Sequence, residues 1–152
     1  MDAAYRPALP FVDAHTSVVA AAPDAVWQAV AEAVERSFAS GRTGAVARLL
    51  GCADRAAAGP RPPAKGSATP GFHVVGAVPA RELALAGSHR FSTYALVFRL
   101  EEAGAGRTRL RAETWAEFPG PAGRVYRLLV IGTRGHALAV RRLLASVRKR
   151  AE

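Results

Sequence analysis

The sequence predicts an α+β fold, and three observations support this prediction. Near the start of the chain, a segment of alternating polar and apolar residues is followed by residues with helical spacing. Several extended segments then follow one another with only short breaks between them, which is typical of an antiparallel meander. The chain closes with a long basic segment of helical periodicity. Helices and strands that occupy separate parts of a chain, instead of alternating strictly, are typical of α+β proteins.

The first strand is predicted from Phe11 to Ala21, where side chains alternate between two faces. The more apolar of these faces consists of Val12, Ala14, Thr16, Val18 and Ala20. The segment "APDAVWQAVAEAVERSF" then predicts an amphipathic helix, because Pro23 and Asp24 are residue types favoured in a first helical turn. Its apolar residues recur at Trp27, Val30, Val34 and Phe38. Gly41 ends this helix, and "GAVARLLG", which ends at Gly51, predicts a second short helix.

Residues 56–70, "AAAGPRPPAKGSATP", contain four prolines and two glycines, which predict a loop with at most a short edge strand. Three extended segments follow, "GFHVVGAVP", "RELALAG" and "HRFSTYALVFRLEE", with turns predicted at Pro79-Ala80 and Gly87-Ser88. The "AGAG" of residues 103–106 predicts a hairpin loop that leads into the strand "RTRLRAETWAEF". The "PGPAG" of residues 119–123 ends the sheet and admits a final helix to about Lys149.

Length and composition predict one domain over residues 1–152, with a flexible N-terminus over residues 1–10. Cys52 is the only cysteine, so no internal disulfide can form, and no cluster has the spacing of a zinc site. We expect neither a metal nor a cofactor. The N-terminus lacks the basic and apolar regions of a signal peptide, and no apolar run approaches the roughly 18 residues of a membrane span. The prediction is a cytoplasmic protein.

The formal net charge of +9 points to a polyanionic partner, either nucleic acid or an anionic membrane surface. However, only Lys65 and Lys149 among the 21 basic residues are lysines, and the chain is rich in Ala, Gly and Pro. These features are typical of a GC-rich genome, whose codon bias alone raises the arginine content. The charge is therefore explained in part without any functional partner.

The step "AAPDAVWQAV" from the first strand into the helix, the hairpins and the closing helix resemble the helix-grip superfamily. This superfamily includes START domains and the birch-pollen allergen and is often labelled SRPBCC. The "DAH" of the first strand and "GRVYRLLV" at the start of the last helix resemble a bacterial branch of it. The resemblance implies a curved antiparallel sheet wrapped around the C-terminal helix, with an apolar cavity between them for lipids, polyketides or similar molecules. It also requires a second strand within the Pro-rich segment.

Steps of about 100° per residue place an apolar stripe on one face of the last helix. This stripe consists of Val125, Leu129, Ala139, Val140, Leu143 and Val147. Arg127, Arg134, Arg141 and Arg148 lie roughly opposite. Gly132 and His136 lie at the centre of the stripe, where a helical glycine costs about 1 kcal/mol relative to alanine. Either Gly132 opens space for a ligand that His136 contacts, or Gly132 permits close packing and His136 is a hydrogen-bonded core residue.

The facing wall is predicted from the last two strands. Alternation places Tyr94, Leu96, Phe98 and Leu100 on one inward face, which Arg90 and Ser92 continue. On the next strand the inward residues are Leu110, Ala112, Thr114 and Phe118, whereas Arg107, Arg109, Arg111, Glu113 and Glu117 face solvent. Pairing about the "AGAG" loop brings Tyr94 near Thr114. The predicted ligand-binding residues are Arg90, Ser92, Tyr94, Thr114, Gly132 and His136. The alternative is that Tyr94 is an ordinary core aromatic and Arg90 extends into solvent.

Three functions follow from these patterns. The first is a carrier or sensor of a hydrophobic small molecule. The second is an enzyme of the polyketide cyclase or aromatase type, in which His136 or Tyr94 moves protons and Arg90 holds an oxyanion. The third is a basic module for nucleic acid or an anionic membrane, although no aromatic residues alternate with the helical arginines as stacking on bases requires.

Four further expectations concern individual side chains and short segments. Burial without a neighbouring carboxylate is expected to lower the pKa of His136. A hydrolytic triad of Asp13, His15 and Ser17 is disfavoured, because side chains two apart on a strand stand parallel at about 7 Å. The glycines of "GTRGH" follow no strand, so phosphate binding is not expected. Trp115 and Phe91 either form an exposed aromatic pair on the outer face of the sheet, which would be a homodimer contact, or a bulge turns Trp115 inward.

Overall fold

The computed structural model of this chain describes residues 6–38, 51, 67–69, 71–132 and 134–152. Six strands and three helical segments lie within these residues. The strands are β1 (Phe11–Val19), β2 (Ala68–Thr69), β3 (Phe72–Val78), β4 (Glu82–His89), β5 (Ser92–Glu102) and β6 (Thr108–Glu117). The helices are α1 (Pro23–Phe38), α2 (Gly120–Arg127), which continues into a π-helical turn (Leu128–Gly132), and α3 (Gly135–Ala151). The α+β order predicted from the sequence is confirmed. The predicted second helix up to Gly51 lies outside the described residues.

The strands form one antiparallel sheet in the order β1-β6-β5-β4-β3-β2. β2 is the short edge strand that the Pro-rich segment permits, and it pairs Ala68 with His73 of β3. Register shifts between Phe11 and Asp13 in β1 and between Val74 and Gly76 in β3 bend the sheet at two places. Pro10, within the segment predicted to be flexible, already accepts a backbone hydrogen bond from Ala116 at 2.9 Å.

The core lies between the inner face of the sheet and the helices α1 and α3. From the sheet, the core includes Leu83, Leu85, Leu96, Phe98 and Leu110, and from the helices Val26, Val30, Val34, Val140, Leu143 and Val147. Full burial of one such side chain contributes about 1.5–3 kcal/mol. The inward faces predicted for β5 and β6 and the apolar spacing of α1 are therefore confirmed for these residues.

The closing helix is not continuous, which corrects the helical stripe predicted from the sequence. Arg134 has a left-handed backbone (φ 63°) between the π-helical turn and α3, so the two halves do not share one face. Val140, Leu143 and Val147 are buried as predicted, but Val125 and Leu129 are 59% and 62% exposed. Ala139 and Gly132 are also exposed. An angular projection fails here because it assumes regular α-helical geometry throughout.

The structure corrects the sequence interpretation of two strands. β1 turns Asp13, His15 and Ser17 toward the interior, opposite Thr114, Ala112 and Leu110 of β6, so the face predicted to be apolar points outward. β4 runs to His89, and the turn predicted at Gly87-Ser88 lies at Arg90-Phe91. Gly87 instead allows the Gly71 carbonyl to lie close to β4, because a Cβ at position 87 would be 2.1 Å from the Gly71 carbonyl oxygen.

The outer face of the sheet contains a group of charged side chains that is not fully solvated. Glu113, predicted to face solvent, is 7% exposed and accepts hydrogen bonds from Arg99 at 3.0 Å and Arg111 at 2.8 Å. Arg99 also donates to Glu82. Burial alone would raise the pKa of Glu113, but the hydrogen bonds from the two arginines and the charge of Arg99 lower it. This group is a structural ion-pair network on the side away from the core.

Candidate functional site

His136 is the centre of a polar group on the otherwise apolar interior. It lies in the first turn of α3, and its Nε2 shares a hydrogen bond of 2.8 Å with Oγ1 of Thr114 on β6. The same nitrogen lies 3.6 Å from Oδ1 of Asp13, and Oδ2 of Asp13 lies 3.3 Å from Nε2 of His15. We call Asp13, His15, Thr114 and His136 the His136 cluster. It joins the first strand, the last strand and the last helix.

The register of β1 positions the two residues of the cluster that the sequence interpretation missed. The irregularity after Phe11 places Asp13 opposite Thr114, and His15 falls opposite Ala112 on the same face. The signal in the sequence was the run of polar residues at alternate positions. These residues were considered only as a disfavoured hydrolytic triad, and the opposite face of the strand is the more apolar one. Polar groups on the inner face are what a site for a small molecule needs.

Asp13 is the least satisfied member of the cluster. Its Oδ1 is buried and has no hydrogen-bond partner among the described residues. The distance of 3.6 Å to His136 is too long for a hydrogen bond. A buried acceptor without a partner costs about 1–3 kcal/mol. Such an atom in a native structure calls for a physical explanation, and a ligand donor is one.

The pKa of His136 lies below its usual value, as the sequence interpretation predicted. Burial is the largest cause and disfavours the imidazolium, and the charge of His15 acts in the same direction. Asp13 opposes both, through its charge and through its polar contact. The expectation that no carboxylate lies nearby was therefore wrong, although the direction of the shift is confirmed. The neutral imidazole is favoured near neutral pH and can accept a proton.

Tyr94 belongs to a second, separate part of the interior. Tyr94 pairs with Ala116 of β6, whereas Thr114 pairs with Leu96 of β5. Tyr94 and Thr114, which the sequence predicted to lie near each other, are therefore diagonal neighbours and not directly opposite. Instead the Tyr94 hydroxyl donates to the Gly71 carbonyl across Gly87, and its ring lies 5.1 Å from Phe72. This arrangement is close to the alternative of a core aromatic with its hydroxyl bonded to the backbone.

His89 is a further interior polar group that the sequence interpretation missed. Its Nδ1 accepts a hydrogen bond from the Phe91 backbone N–H at 3.1 Å, so the neutral ring carries its proton on Nε2. That nitrogen donates to the Tyr126 hydroxyl at 3.1 Å, and Phe91 stacks on Tyr126 at 5.6 Å. Burial lowers the pKa of His89. The contact fastens α2 to the turn between β4 and β5.

The aromatic pair considered for a homodimer does not form. Phe91 packs on Tyr126, and Trp115 instead meets Phe11 edge to face at 5.2 Å. A homodimer stays a prediction, now without this basis.

The remaining predicted site residues do not meet the His136 cluster. Arg90 is exposed in the turn before β5, with its side chain beside Gly51. Ser92 is buried, and among the described residues its hydroxyl reaches only the Thr93 carbonyl, at 3.5 Å. Gly132 is exposed at the end of the π-helical turn, where an added Cβ would lie 3.1 Å from Cδ1 of Leu128. The structure thus joins Thr114 and His136 from the predicted set and leaves the others apart.

No group of three or more His, Cys, Asp or Glu side chains among the described residues could hold a metal ion. Within the same residues, no helix is long and apolar enough to cross a membrane.

Comparison with known proteins gives matches at the level of structure. Neither a family profile nor a curated protein matches the sequence. CalU16 from Micromonospora echinospora superimposes with a TM-score of 0.53 at 15% identity, over 91% of this chain and 82% of that one. A Thermobifida fusca protein gives 0.57 at 13% identity, over 91% of each chain. Ara h 8.0201 gives 0.51 at 10% identity, over 91% of this chain and 95% of that one. At these identities the likeness demonstrates a common fold.

Proposed function

We propose that this chain, which shares the fold of these structures, is a helix-grip protein that binds a hydrophobic small molecule between the sheet and α3. The ligand is a lipid, a polyketide or a molecule of similar character, with a largely apolar body and at least one hydroxyl group. The protein acts as its carrier or sensor. The binding region is bounded by the His136 cluster at one side and by the part of the sheet that includes Phe72 and Tyr94 at the other.

The observation that carries this proposal is the His136 cluster itself. Four polar side chains face an interior that is otherwise built from apolar residues, and Oδ1 of Asp13 is buried without a donor among the described residues. A ligand hydroxyl that donates to Asp13 would remove this cost upon binding. Sites for small molecules typically combine an apolar lining with a few such orienting groups.

A second candidate function is catalysis of the polyketide cyclase or aromatase type. The observation that favours it is a neutral imidazole at His136 with a carboxylate close by, since burial lowers the pKa of His136 and Asp13 lies 3.6 Å away. In this mechanism His136 removes a proton from an enolisable carbon, and Asp13 stabilises the imidazolium that forms. Two other groups considered for this chemistry are less suitable. Arg90 is exposed, and the Tyr94 hydroxyl is engaged by Gly71.

Native mass spectrometry of the protein purified from its own host tests the proposal. We expect a mass excess from a retained organic molecule that is lost on denaturation and reduced in Thr114→Val. Thr93→Val, the same change at an exposed position of β5, is the matched control and should retain the molecule. No mass excess, together with no extraction of an apolar molecule from host lipid and polyketide fractions, would contradict binding. Release of a molecule altered from the one supplied would favour the enzyme.

A further inference from the structure

The segment around the break in the closing helix exposes an unusual amount of apolar surface. Val125 is 59% exposed, Leu128 69%, Leu129 62% and Leu138 52%. These four residues lie within 14 positions of one another, on both sides of the left-handed residue Arg134. Scattered single apolar residues are normal at a protein surface, but several large ones exposed within one short stretch of chain indicate an interaction site. We call these four residues the elbow patch.

The same part of the chain is strongly basic. From Phe118 to Ala151 the sequence contains no acidic residue and eight basic ones, Arg124, Arg127, Arg134, Arg141, Arg142, Arg148, Lys149 and Arg150. The whole chain has a formal charge of +9. The excess charge is therefore concentrated in the closing helical segment, and codon bias alone does not produce this asymmetry.

The arginines closest in sequence to the elbow patch are those without carboxylate partners. Arg148 pairs with Glu152 at 3.2 Å and Arg150 lies 3.9 Å from Glu32, both toward the end of α3. In contrast, Arg124, Arg127, Arg134, Arg141 and Arg142 are all exposed and form no ion pair within the described parts of the chain. Among the described residues, the arginines without an ion pair are thus those nearest in sequence to the elbow patch, and the paired ones lie farther along the helix. Of the former, Arg127 lies over the Phe118 ring at 5.6 Å.

We propose that the elbow patch docks this protein onto an anionic lipid surface. Leucine side chains enter the boundary between headgroups and acyl chains, while arginines at their edge contact lipid phosphates and carboxylates. A helix that lies in a membrane interface combines these two features. The break at Arg134 lies between Leu129 and Leu138 in the chain, so the elbow patch includes residues of both helical segments. This inference does not depend on the proposed ligand. If that ligand is a lipid, the membrane to which the protein docks would also be its source.

Two other partners fit the observations less well. The arginines would attract nucleic acid, but phosphate contacts do not require four exposed aliphatic side chains. Single strands are bound by stacking of their bases on aromatic residues, and the elbow patch contains none. A second copy of the chain could cover the leucines. A twofold contact at this patch would bring two clusters of unpaired arginines together, which like-charge repulsion opposes.

Flotation of the full chain with large unilamellar vesicles tests the proposal. We expect binding to phosphatidylcholine vesicles that contain about 30 mol% phosphatidylserine, much weaker binding to pure phosphatidylcholine, and a steady loss as salt is raised. Leu128→Ser with Leu129→Ser should weaken binding at least about tenfold, because the apolar contact is removed without a change of charge. Arg124→Gln with Arg134→Gln should weaken it by about 10- to 30-fold.

Matched controls separate docking from general attraction. Arg107→Gln with Arg109→Gln removes two exposed charges at the β5–β6 hairpin, and Val18→Ser removes an exposed apolar residue of β1. Both should bind vesicles nearly as the parent does, and melting temperatures should show that every variant is folded. Equal loss in the two arginine pairs, or unchanged binding of the leucine variant, would overturn the proposal. Tighter binding to a DNA duplex than to the anionic vesicles, insensitive to the leucine changes, would overturn it in favour of nucleic acid.

Discussion

Oγ1 of Thr114 and Nε2 of His136 lie 2.8 Å apart and share a hydrogen bond that ties the last strand of the sheet to the first turn of the last helix. The two residues are 22 positions apart in the chain, and Asp13 of the first strand approaches the same imidazole nitrogen. A polar contact in this position holds the helix against the sheet at one point of an apolar interior. Beside it, Oδ1 of Asp13 is buried and has no hydrogen-bond partner among the described residues.

Replacing His136 by phenylalanine separates a ligand contact from a structural one. If the imidazole contacts the ligand, His136→Phe should weaken binding of the retained molecule by about 5- to 30-fold, the effect of one lost hydrogen bond. The free energy of unfolding should fall by about 1–3 kcal/mol, because a planar ring still fills the space but Oγ1 of Thr114 loses its partner. Affinity is measured by calorimetric titration and stability by urea unfolding. His73→Phe, on the outer face of β3, is the control. Unchanged affinity in His136→Phe would assign the histidine to structure alone.

Changing the neighbours of His136 should move its pKa in opposite directions. Asp13 favours the imidazolium and His15 disfavours it. Asp13→Asn should therefore lower the pKa of His136 further, and His15→Gln should raise it. NMR titration of the ring protons gives both values. Shifts of the same sign in the two variants would show that the cluster does not act through these charges.

Acid should destabilise the protein in a window set by two partly buried histidines, His89 and His136. The pKa values of His136 and His89 are lowered by burial, so the unfolded chain binds more protons below the usual value of 6.5. Their contribution is fully present above 6.5 and is lost as the pH falls toward the folded-state values. His136→Phe should flatten the dependence of the unfolding free energy on pH in this window. Burial opposes the lowered pKa of Glu113, which hydrogen bonds from Arg111 and Arg99 produce. The stability that Glu113 contributes is therefore fully present above about 4.5 and is lost only at lower pH, outside the histidine window. If the unfolding free energy of His136→Phe depended on pH near 6 as steeply as that of the parent protein, the prediction would be wrong.

Gly87 should tolerate no side chain. A Cβ would lie 2.1 Å from the Gly71 carbonyl oxygen and 2.7 Å from Cε2 of Tyr94, so Gly87→Ala should destabilise the protein by about 1–3 kcal/mol or more. Gly76→Ala is the matched change on the neighbouring strand, where the nearest atom would be at 3.6 Å, an ordinary contact. Thermal unfolding of both variants provides the comparison. Similar melting temperatures would mean that Tyr94 does not cross β4 as described.

The hydroxyl of Tyr126 should hold α2 in place. Tyr126→Phe leaves the Nε2 proton of His89 without this acceptor and should cost about 1 kcal/mol, with faster amide exchange confined to α2. Phe91→Leu removes the stacked ring but keeps the hydrogen bond, and it distinguishes the two contributions. Exchange that rises equally throughout the sheet would argue against a local role for this contact.

Much of the fold could be predicted because it depends on local patterns. Alternation in β5 and β6 identified Phe98 and Leu110 as core residues, and the spacing of α1 identified Val30 and Val34. The Pro-rich segment permitted only a short edge strand, as β2 is. The site was predicted less completely, since only Thr114 and His136 of its six proposed residues are in contact. Arg90 and Ser92 continue the alternate spacing of the inward residues of β5. However, Ser92 is the first residue of that strand and Arg90 lies in the turn before it, so the spacing does not place them in the site.

The sequence by itself determined the order of strands and helices, the apolar faces of α1, β5 and β6, and the downward direction of the His136 pKa, because each follows from periodicity or burial close along the chain. Only the tertiary structure decided which face of β1 points inward and where the closing helix breaks. Alternation defines two faces of a strand, but the register with β6 selects one, and that selection places Asp13 beside His136. Helical periodicity likewise assumes an unbroken axis. A single left-handed residue at Arg134 changes the direction of the chain, which buries Val140 and leaves Leu128 exposed.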